Sequence, residues 1–462
     1  MKTSSWPPET LRLALVRAGA PANSRIADLR HSVALEPLIS RGVLGAQLWQ
    51  LAGKSVLIAT GSQFETALAL LDLDGVARRI VLLPPDVADS QLPAIIRDAA
   101  VEAIIASSTA RFSSLRLPVF ELNAAAHEAV PHVSSAEPTQ WLMLTSGTTG
   151  DPKLAIHTLS GLAGAIGAPQ HDAERPVWAT FYDIRRYGGL QIFLRAMLSG
   201  GGLILSQPGE AIADHLHRLA AAGVTHVSGT PTHWRRILMG RIPGQFAPRY
   251  IRLSGEIADQ AVLDALRLAF PEAAIGHAYA STEAGVGFEV TDGLEGFPAS
   301  YLDGAKNGVE LRIAGGCLQL RSRRRALAYA GRPDLQLADA EGWVDSGDMV
   351  ELRNGRYRFV GRRNGVINVG GLKVHPEEIE AVINRHVAVR QAKVRARKSP
   401  ILGSIVVADV LLSFGSEASD ALKRDLIEHC ARSLPAHKVP ALVNFVPAID
   451  MTAGGKLARQ NA

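Results

Sequence analysis

Trp141-Leu142-Met143-Leu144-Thr145-Ser146-Gly147-Thr148-Thr149-Gly150-Asp151-Pro152-Lys153 passes from four apolar residues into hydroxyls and glycines, and ends on a lysine. The apolar quartet reads as a buried strand. Two glycines and four hydroxyl side chains in so short a span cannot build a core. They can wrap phosphate oxygens: backbone N–H groups and hydroxyls donate, and the lysine adds charge. The spacing does not fit the Walker A loop, which needs Gly-Lys-Ser/Thr at the opening of a helix. The stretch therefore predicts a nucleotide-phosphate loop of another kind. A flexible surface loop is the plainer reading, but solvated loops seldom follow a buried strand with this composition.

Outward from this point, strand and helix patterns alternate. Toward the N-terminus, residues 55–59, 80–83 and 103–106 read as strands, with helices at 63–71 and about 92–100. Such alternation predicts parallel α/β layers. The pattern resumes with strands at 202–205, 225–228 and 250–253 and an amphipathic helix at 212–222. From Gly308 to Phe359 it changes to short alternating strands with Gly and Asn turns, which predicts a small β subdomain. The polar break Arg362-Arg363-Asn364-Gly365 follows, and then about a hundred residues with their own strands and helices. Pro376-Glu377-Glu378 is a good helix opening. The expected division is residues 1–362 and 363–462, and the fold class is α/β.

Composition limits the function. The chain has 462 residues, 47% of them hydrophobic, and a net charge of +5, which suits a protein that handles small polyanions. No apolar run is long enough to span a bilayer, and the start carries no signal-peptide pattern. Two cysteines, Cys317 and Cys430, cannot form a disulfide framework and lack metal-ligand spacing, so a cytoplasmic location is expected. The densest basic run, Arg321-Ser322-Arg323-Arg324-Arg325, has no interleaved aromatics, helix-turn-helix or zinc pattern; it predicts a solvated face and no nucleic-acid partner.

The stretch at 144–153 resembles the phosphate-loop signature of the adenylate-forming enzymes: acyl- and aryl-CoA synthetases, luciferases and peptide-synthetase adenylation domains. Four further segments resemble that family's motifs, in its order. They are Tyr279-Ala280-Ser281-Thr282-Glu283; Trp343-Val344-Asp345-Ser346-Gly347-Asp348; Gly361-Arg362-Arg363-Asn364 with the loop Gly370-Gly371-Leu372-Lys373; and Gly454-Gly455-Lys456. The resemblance implies a large N-terminal domain of several subdomains that binds ATP and the acid. It also implies a small, mobile α+β C-terminal domain carrying a catalytic lysine.

It further implies roles. Thr145, Ser146, Gly147, Thr148, Thr149 and Lys153 would bind the β- and γ-phosphates. Thr282 would contact the α-phosphate, and Glu283 would hold Mg²⁺. Asp348 would accept both ribose hydroxyls, with Arg362 closing on the ribose and Tyr279 offering a face to adenine. Ser254-Gly255-Glu256 matches the adenine-side loop. Lys456 would bridge the incoming carboxylate and the α-phosphate. Asn364 would be the hinge, and Gly370 and Gly371 would line the thiol channel, where glycine lets backbone approach without a blocking side chain. The acid pocket would begin around residues 180–189, gated by Tyr182 or Tyr187, with Ser281 nearby and with Ser228-Gly229-Thr230-Pro231 and Val286-Gly287-Phe288 lining the same cavity. Asp183 resembles the aspartate with which peptide-synthetase domains hold an amino group, although Ile184-Arg185-Arg186 does not match; Arg185 or Arg186 could attract a second anionic group. His157, His226, His233 and His277 stand beside apolar strands and read as packed or capping histidines.

Three residues depart from the family pattern: Leu154 and Ala280 stand where glycine is usual, and Asn364 where aspartate is usual. The segment before the phosphate loop is also shorter than usual, which bears on dimer contacts; a homodimer is compatible with the resemblance. The expected activity is an acid–CoA ligase. It converts a small carboxylic acid and ATP, with Mg²⁺, to acyl-AMP and pyrophosphate, then passes the acyl group to CoA. Two alternatives stand beside it: an acyl-AMP ligase that loads the phosphopantetheine arm of a carrier protein acting in trans, and an inactive adenylate-binding scaffold.

Overall fold

The structure, a computed structural model, describes residues 9–19, 23–125, 128–131, 133, 135–145, 152–168, 174–369, 372–399, 403–452 and 456–457. Among these, the N-terminal part is built on a six-, an eight- and a five-stranded sheet.

The six-stranded sheet contains the strand that opened the sequence reading. Its order is Leu154–Thr158, Gln140–Leu144, Arg79–Leu82, Ser55–Ala59, Ala103–Ala106, Val119–Glu121. All its pairs are parallel except the first. Covered on both faces, its central strands are apolar throughout rather than alternating. The helix Gln63–Leu73 starts at a capping box, in which Ser62 accepts from the Glu65 amide and Glu65 accepts from the Ser62 amide.

The eight-stranded sheet runs Gly285–Val290, Ala274–Ser281, Tyr250–Ser254, His226–Gly229, Val177–Thr180, Gly202–Leu205, Arg25–Ala27, Ser32–Ala34, parallel except for the outermost pair at each edge. The antiparallel five-stranded sheet includes Val309–Ala314, Cys317–Ser322, Val344–Arg353 and Arg356–Arg362. Beyond a 3-10 turn at Arg363–Gly365, strands Val389–Ser399, Gly403–Leu412 and Leu442–Phe445 pack with helices Pro376–Ile383 and Asp420–Ala431 around a separate apolar cluster. No described helix is long and apolar enough to cross a membrane. Cys317 and Cys430 are buried and free.

One buried acid ties the N-terminal helix to the first sheet. Asp74 accepts from the Leu11 amide at 2.8 Å and from Trp141 Nε1 at 3.2 Å. Burial pushes its carboxyl up to about 7, against those two hydrogen bonds. A folded-state pKa above the unfolded value makes protonation stabilising; that contribution is complete below the unfolded pKa and is lost as pH rises through about 7. Asp74→Asn carries no such charge. In melts of both proteins, the variant should gain on the parent between pH 5 and pH 8 by on the order of 2–3 kcal/mol. A pH-independent difference would show that Asp74 does not titrate in this range.

Candidate active site

The two strands around the Thr/Ser/Gly stretch form an antiparallel hairpin, Gln140–Leu144 against Leu154–Thr158, closed by the Thr145 amide donating to Lys153 O at 2.9 Å. The departure at Leu154 has a local reason: it pairs across from Leu144 and is buried in the apolar cluster under the sheet. Ser146, Gly147, Thr148 and Thr149 lie outside the described residues, as do Gly370 and Gly371.

The hairpin delivers Lys153 to the turn that carries Thr282 and Glu283. Lys153 Nζ stands 5.6 Å from the centre of the Tyr329 ring. The Tyr329 phenol hydrogen-bonds Glu283, and burial followed by that carboxylate's charge pushes it up to about 12. On the other side, His157 Nε2 donates to Thr282 O at 2.8 Å. Burial holds His157 down to about 4, so the imidazole is neutral and its Nε2 carries the proton. Ser281 accepts from the Ala284 amide at 3.0 Å, tightening the same turn. The strand register slips between Tyr279 and Ala280, the position of the second departure; a bulge there re-aims the side chains that follow.

Asp348 lies across from this turn on the strand Val344–Arg353. Tyr279 donates its hydroxyl to Asp348 Oδ2 at 2.5 Å, and Arg362 Nε donates to Oδ1 at 2.9 Å. Each oxygen keeps a further lone pair for an outside donor, which is what two neighbouring hydroxyls need. Burial and then Asp348 raise the Tyr279 pKa well above the usual phenol range, so the phenol stays a donor. The Tyr279 ring lies parallel to Phe288 and Phe359, with centroids 5.5 and 5.2 Å away. An adenine stacked on Tyr279 has to share the ring with these two side chains.

Lys456 enters from the C-terminal part. The Leu457 amide donates to Glu256 Oε1 at 2.9 Å, and the Thr232 amide to Glu256 Oε2 at 3.0 Å. Glu256 therefore pins the lysine segment to the start of the helix Pro231–Leu238. Gly255 has φ +85°, and a Cβ there would meet Lys456 Cε at 3.3 Å, so glycine serves both the turn and the lysine's approach. Lys456 is an exposed residue whose ammonium end lies near Glu256, Asp348 and Arg362. Burial of that end lowers its pKa, and Glu256 opposes the shift. Asn364 is exposed in the turn Arg363–Gly365, between the two cores.

The expected acid pocket is more dispersed. Tyr182 is buried and donates to Ser254 O at 2.6 Å; Tyr187 is buried beside His157, ring centroids 5.7 Å apart. Gly229 packs against Phe181, His233 and Trp234. Arg185 is already engaged within the fold: each guanidinium nitrogen makes a bond, to Asp183 at 2.7 and 2.8 Å and to Thr60 O at 2.8 Å, and the side chain is buried. Arg186 pairs with Asp86. Asp183 is correspondingly taken by Arg185. The four histidines pack or cap: His233 closes the helix start at Thr230, His226 lies among Trp178 and Tyr250, and His277 bonds Leu294 O.

Residues without an assigned role in the sequence reading also contribute. Tyr329, in a featureless loop, offered no signal. Arg195 and Arg252 did: each is a lone charge inside an otherwise apolar helix or strand, where charges are rare unless they serve a purpose.

The structure thus brings the Lys153 hairpin, the Thr282-Glu283 turn, Asp348 with Arg362, and Lys456 to one region. The chain belongs to the AMP-binding enzyme family: that family's model matches residues 52–313, and the AMP-binding enzyme C-terminal domain matches residues 378–456. The 2-succinylbenzoate–CoA ligase of Salmonella typhimurium is 27% identical over 433 residues, covering 88% of this chain and 86% of that protein. ATP-bound MatB from Rhodopseudomonas palustris shares the fold with a TM-score of 0.80 at 17% identity, covering 97% of each chain. The anthranilate CoA ligase AuaEII, in complex with anthranoyl-AMP, gives 0.77 at 19% identity, covering 97% of this chain and 95% of that one. The protein is an AMP-forming ligase of the adenylate-forming family.

Proposed function

We propose that the protein is a free-standing acid–CoA ligase. The observation that carries this reading is the position of Lys456, held by the Glu256 clamp beside Gly255 and within the field of Asp348 and Arg362. A carboxylate oxygen attacks the α-phosphorus of ATP, and the bond to the bridging oxygen of pyrophosphate breaks. Negative charge spreads over the α-phosphate oxygens, and fixed donors and cations stabilise it there. Lys456 offsets charge on the carboxylate and the α-phosphate together, Lys153 serves the outer phosphates, and Asp348 with Arg362 positions the ribose. In the second step the CoA sulfur attacks the acyl carbonyl, and AMP leaves with the bonding pair.

Glu283 suits Mg²⁺. It is a hard oxygen donor, oriented by the Tyr329 phenol with lone pairs to spare. Among the described residues no group of three or more metal-ligating side chains occurs. A single carboxylate plus substrate phosphates is how Mg²⁺ is commonly held. The ion, when bound, would neutralise charge on the phosphates.

Pyrophosphate release across a panel of acids, with and without CoA, tests the reading. Acid-dependent release with a CoA thioester as product supports it. Release without thioester points to a carrier-protein acceptor, and no release with any acid favours a scaffold.

Tyr187 should influence acid choice. It opens the helix Tyr187–Ser199 beside His157, and Arg195 and Arg324 lie close to its phenol. Tyr187→Ala should change the ratio of kcat/KM between a large and a small acid by about tenfold, the scale of pocket-shape discrimination, with ATP affinity kept. Tyr182→Phe removes the bond to Ser254 O and should disturb ATP as well as acid. An unaltered acid profile in both variants would place the pocket elsewhere.

A further inference from the structure

Beside the strand Gly285–Val290 lies a cavity of about 580 Å³, within the range of small-molecule sites. It shares that strand with the hairpin turn that carries Thr282 and Glu283. Its lining is cationic: Arg195, Lys306 and Arg324 face it, with Glu289 as the acid among its lining residues. Arg252, 4% exposed, stands behind and pairs with Glu289 at 2.9 Å. Glu289 also accepts from the Tyr250 hydroxyl. Arg324 is held by Val286 O at 3.3 Å and by Asn307 O, neither of which carries charge. Lys306 lies over the Tyr301 ring, 4.6 Å from its centre.

Arg195 is left over. It projects from the helix Tyr187–Ser199 between buried Leu194 and Ala196, and its Nε is buried without a hydrogen-bond partner among the described residues. Burial lowers its pKa, and Glu289, already engaged, opposes the shift. Burial and the neighbouring Arg195 bring Arg252 down to about 9. Three guanidiniums and an ammonium around one carboxylate are an unbalanced cluster. Lys306 is exposed, but a buried guanidinium nitrogen without a partner, as at Arg195, is costly, and an anion entering the cavity would relieve that cost. Guanidinium is also the side chain best shaped to take an oxyanion with two hydrogen bonds.

We infer that this cavity receives the acid substrate and that Arg195, with Arg324, holds a second oxyanion on that acid, distinct from the carboxylate that is adenylated. The substrate class is a compact dianionic acid, its second group a carboxylate or a sulfonate. The inference rests on the ligase reading above and deepens it.

Matched pairs test it: benzoate against isophthalate and 3-sulfobenzoate, and pentanoate against glutarate, with pyrophosphate release as the readout. In at least one pair the dianionic member should have the higher kcat/KM by tenfold or more. Arg195→Met should cut that advantage at least tenfold through KM, and Arg195→Lys should restore part of it, which a folding defect would not do. If the monoanionic member matches or exceeds its partner in every pair, or if Arg195→Met leaves the ratio unchanged, the inference is overturned while the ligase reading stands. If no acid releases pyrophosphate, calorimetry with isophthalate and glutarate separates the two claims. Binding that is lost in Arg195→Met keeps the anion site and rejects the ligase reading; no binding overturns the anion site too.

Discussion

Lys456→Ala should lower the rate of acyl-AMP formation by about 10²–10³, the usual cost of deleting one fixed donor to a developing oxyanion. The ammonium already stands beside Gly255, with Glu256 supporting its charged form. Little reorganisation is then needed when charge builds on the α-phosphate. The C-terminal part is expected to turn about Asn364 and present Lys456 for adenylation and the Gly370-Gly371 loop for thioester formation, so the same variant, given preformed acyl-AMP and CoA, should still make thioester within a few-fold of the parental rate. Asn364→Pro should do the reverse. Residue 364 lies in a turn between two independent cores, and the polar contacts seen between the two parts, such as Gln391 with Thr232 and Arg353 with Glu378, are few and weak enough to exchange. A proline there restricts the backbone that has to rotate. Gly371→Leu is expected to behave like Asn364→Pro. Single-turnover assays of each half-reaction decide. Parental adenylation by Lys456→Ala, or equal slowing of both steps by the hinge variant, would sink the mechanism.

Asp348→Ala should weaken ATP binding by about ten- to a hundredfold. Two ribose hydroxyls donate to one carboxylate in the proposed complex, and a hydrogen bond to a charged group is worth about 1.5–3 kcal/mol. The substitution also removes the acceptor of the Tyr279 phenol and the partner of Arg362. A half-buried phenol without its acceptor lowers stability, which would confuse the result. Tyr279→Phe is the control: it removes the same internal bond and leaves the carboxylate. If Tyr279→Phe retains ATP affinity while Asp348→Ala loses it in calorimetry on folded protein, the loss belongs to the ribose contacts. Equal losses, or no loss in Asp348→Ala, would overturn the ribose assignment.

Elements governed by local pattern were legible in the sequence. The strand Ser55–Ala59, the helix expected at 63–71 and found at Gln63–Leu73, and the helix opened by Pro376 follow from local pattern. Ordered motifs carried the family: each is ambiguous alone, Lys456 in its polar tail most of all, and their shared order removes the ambiguity. The acid pocket was less legible. Arg185 looked available as a neighbour of Tyr182 and Tyr187, yet Asp183, two residues away, and Thr60 O engage each of its three guanidinium nitrogens. Arg195 stands out in the sequence as a lone charge in an apolar helix, but only the fold turns it toward a cavity where Glu289 is already taken by Arg252 and Tyr250.

The sequence by itself determined the α/β class, the order of the motifs and the family that they mark. Those depend on backbone preferences and on local runs of residue types that can be read without knowing what folding brings together. Tertiary structure alone decided which charges are spent and which remain. Glu256, expected near adenine, anchors the Leu457 amide; Tyr329, without any motif, orients Glu283; Arg195 Nε stays without a hydrogen-bond partner among the described residues. Ion pairing and burial depend on what folding brings within a few ångströms, and those partners lie tens to hundreds of residues apart along the chain.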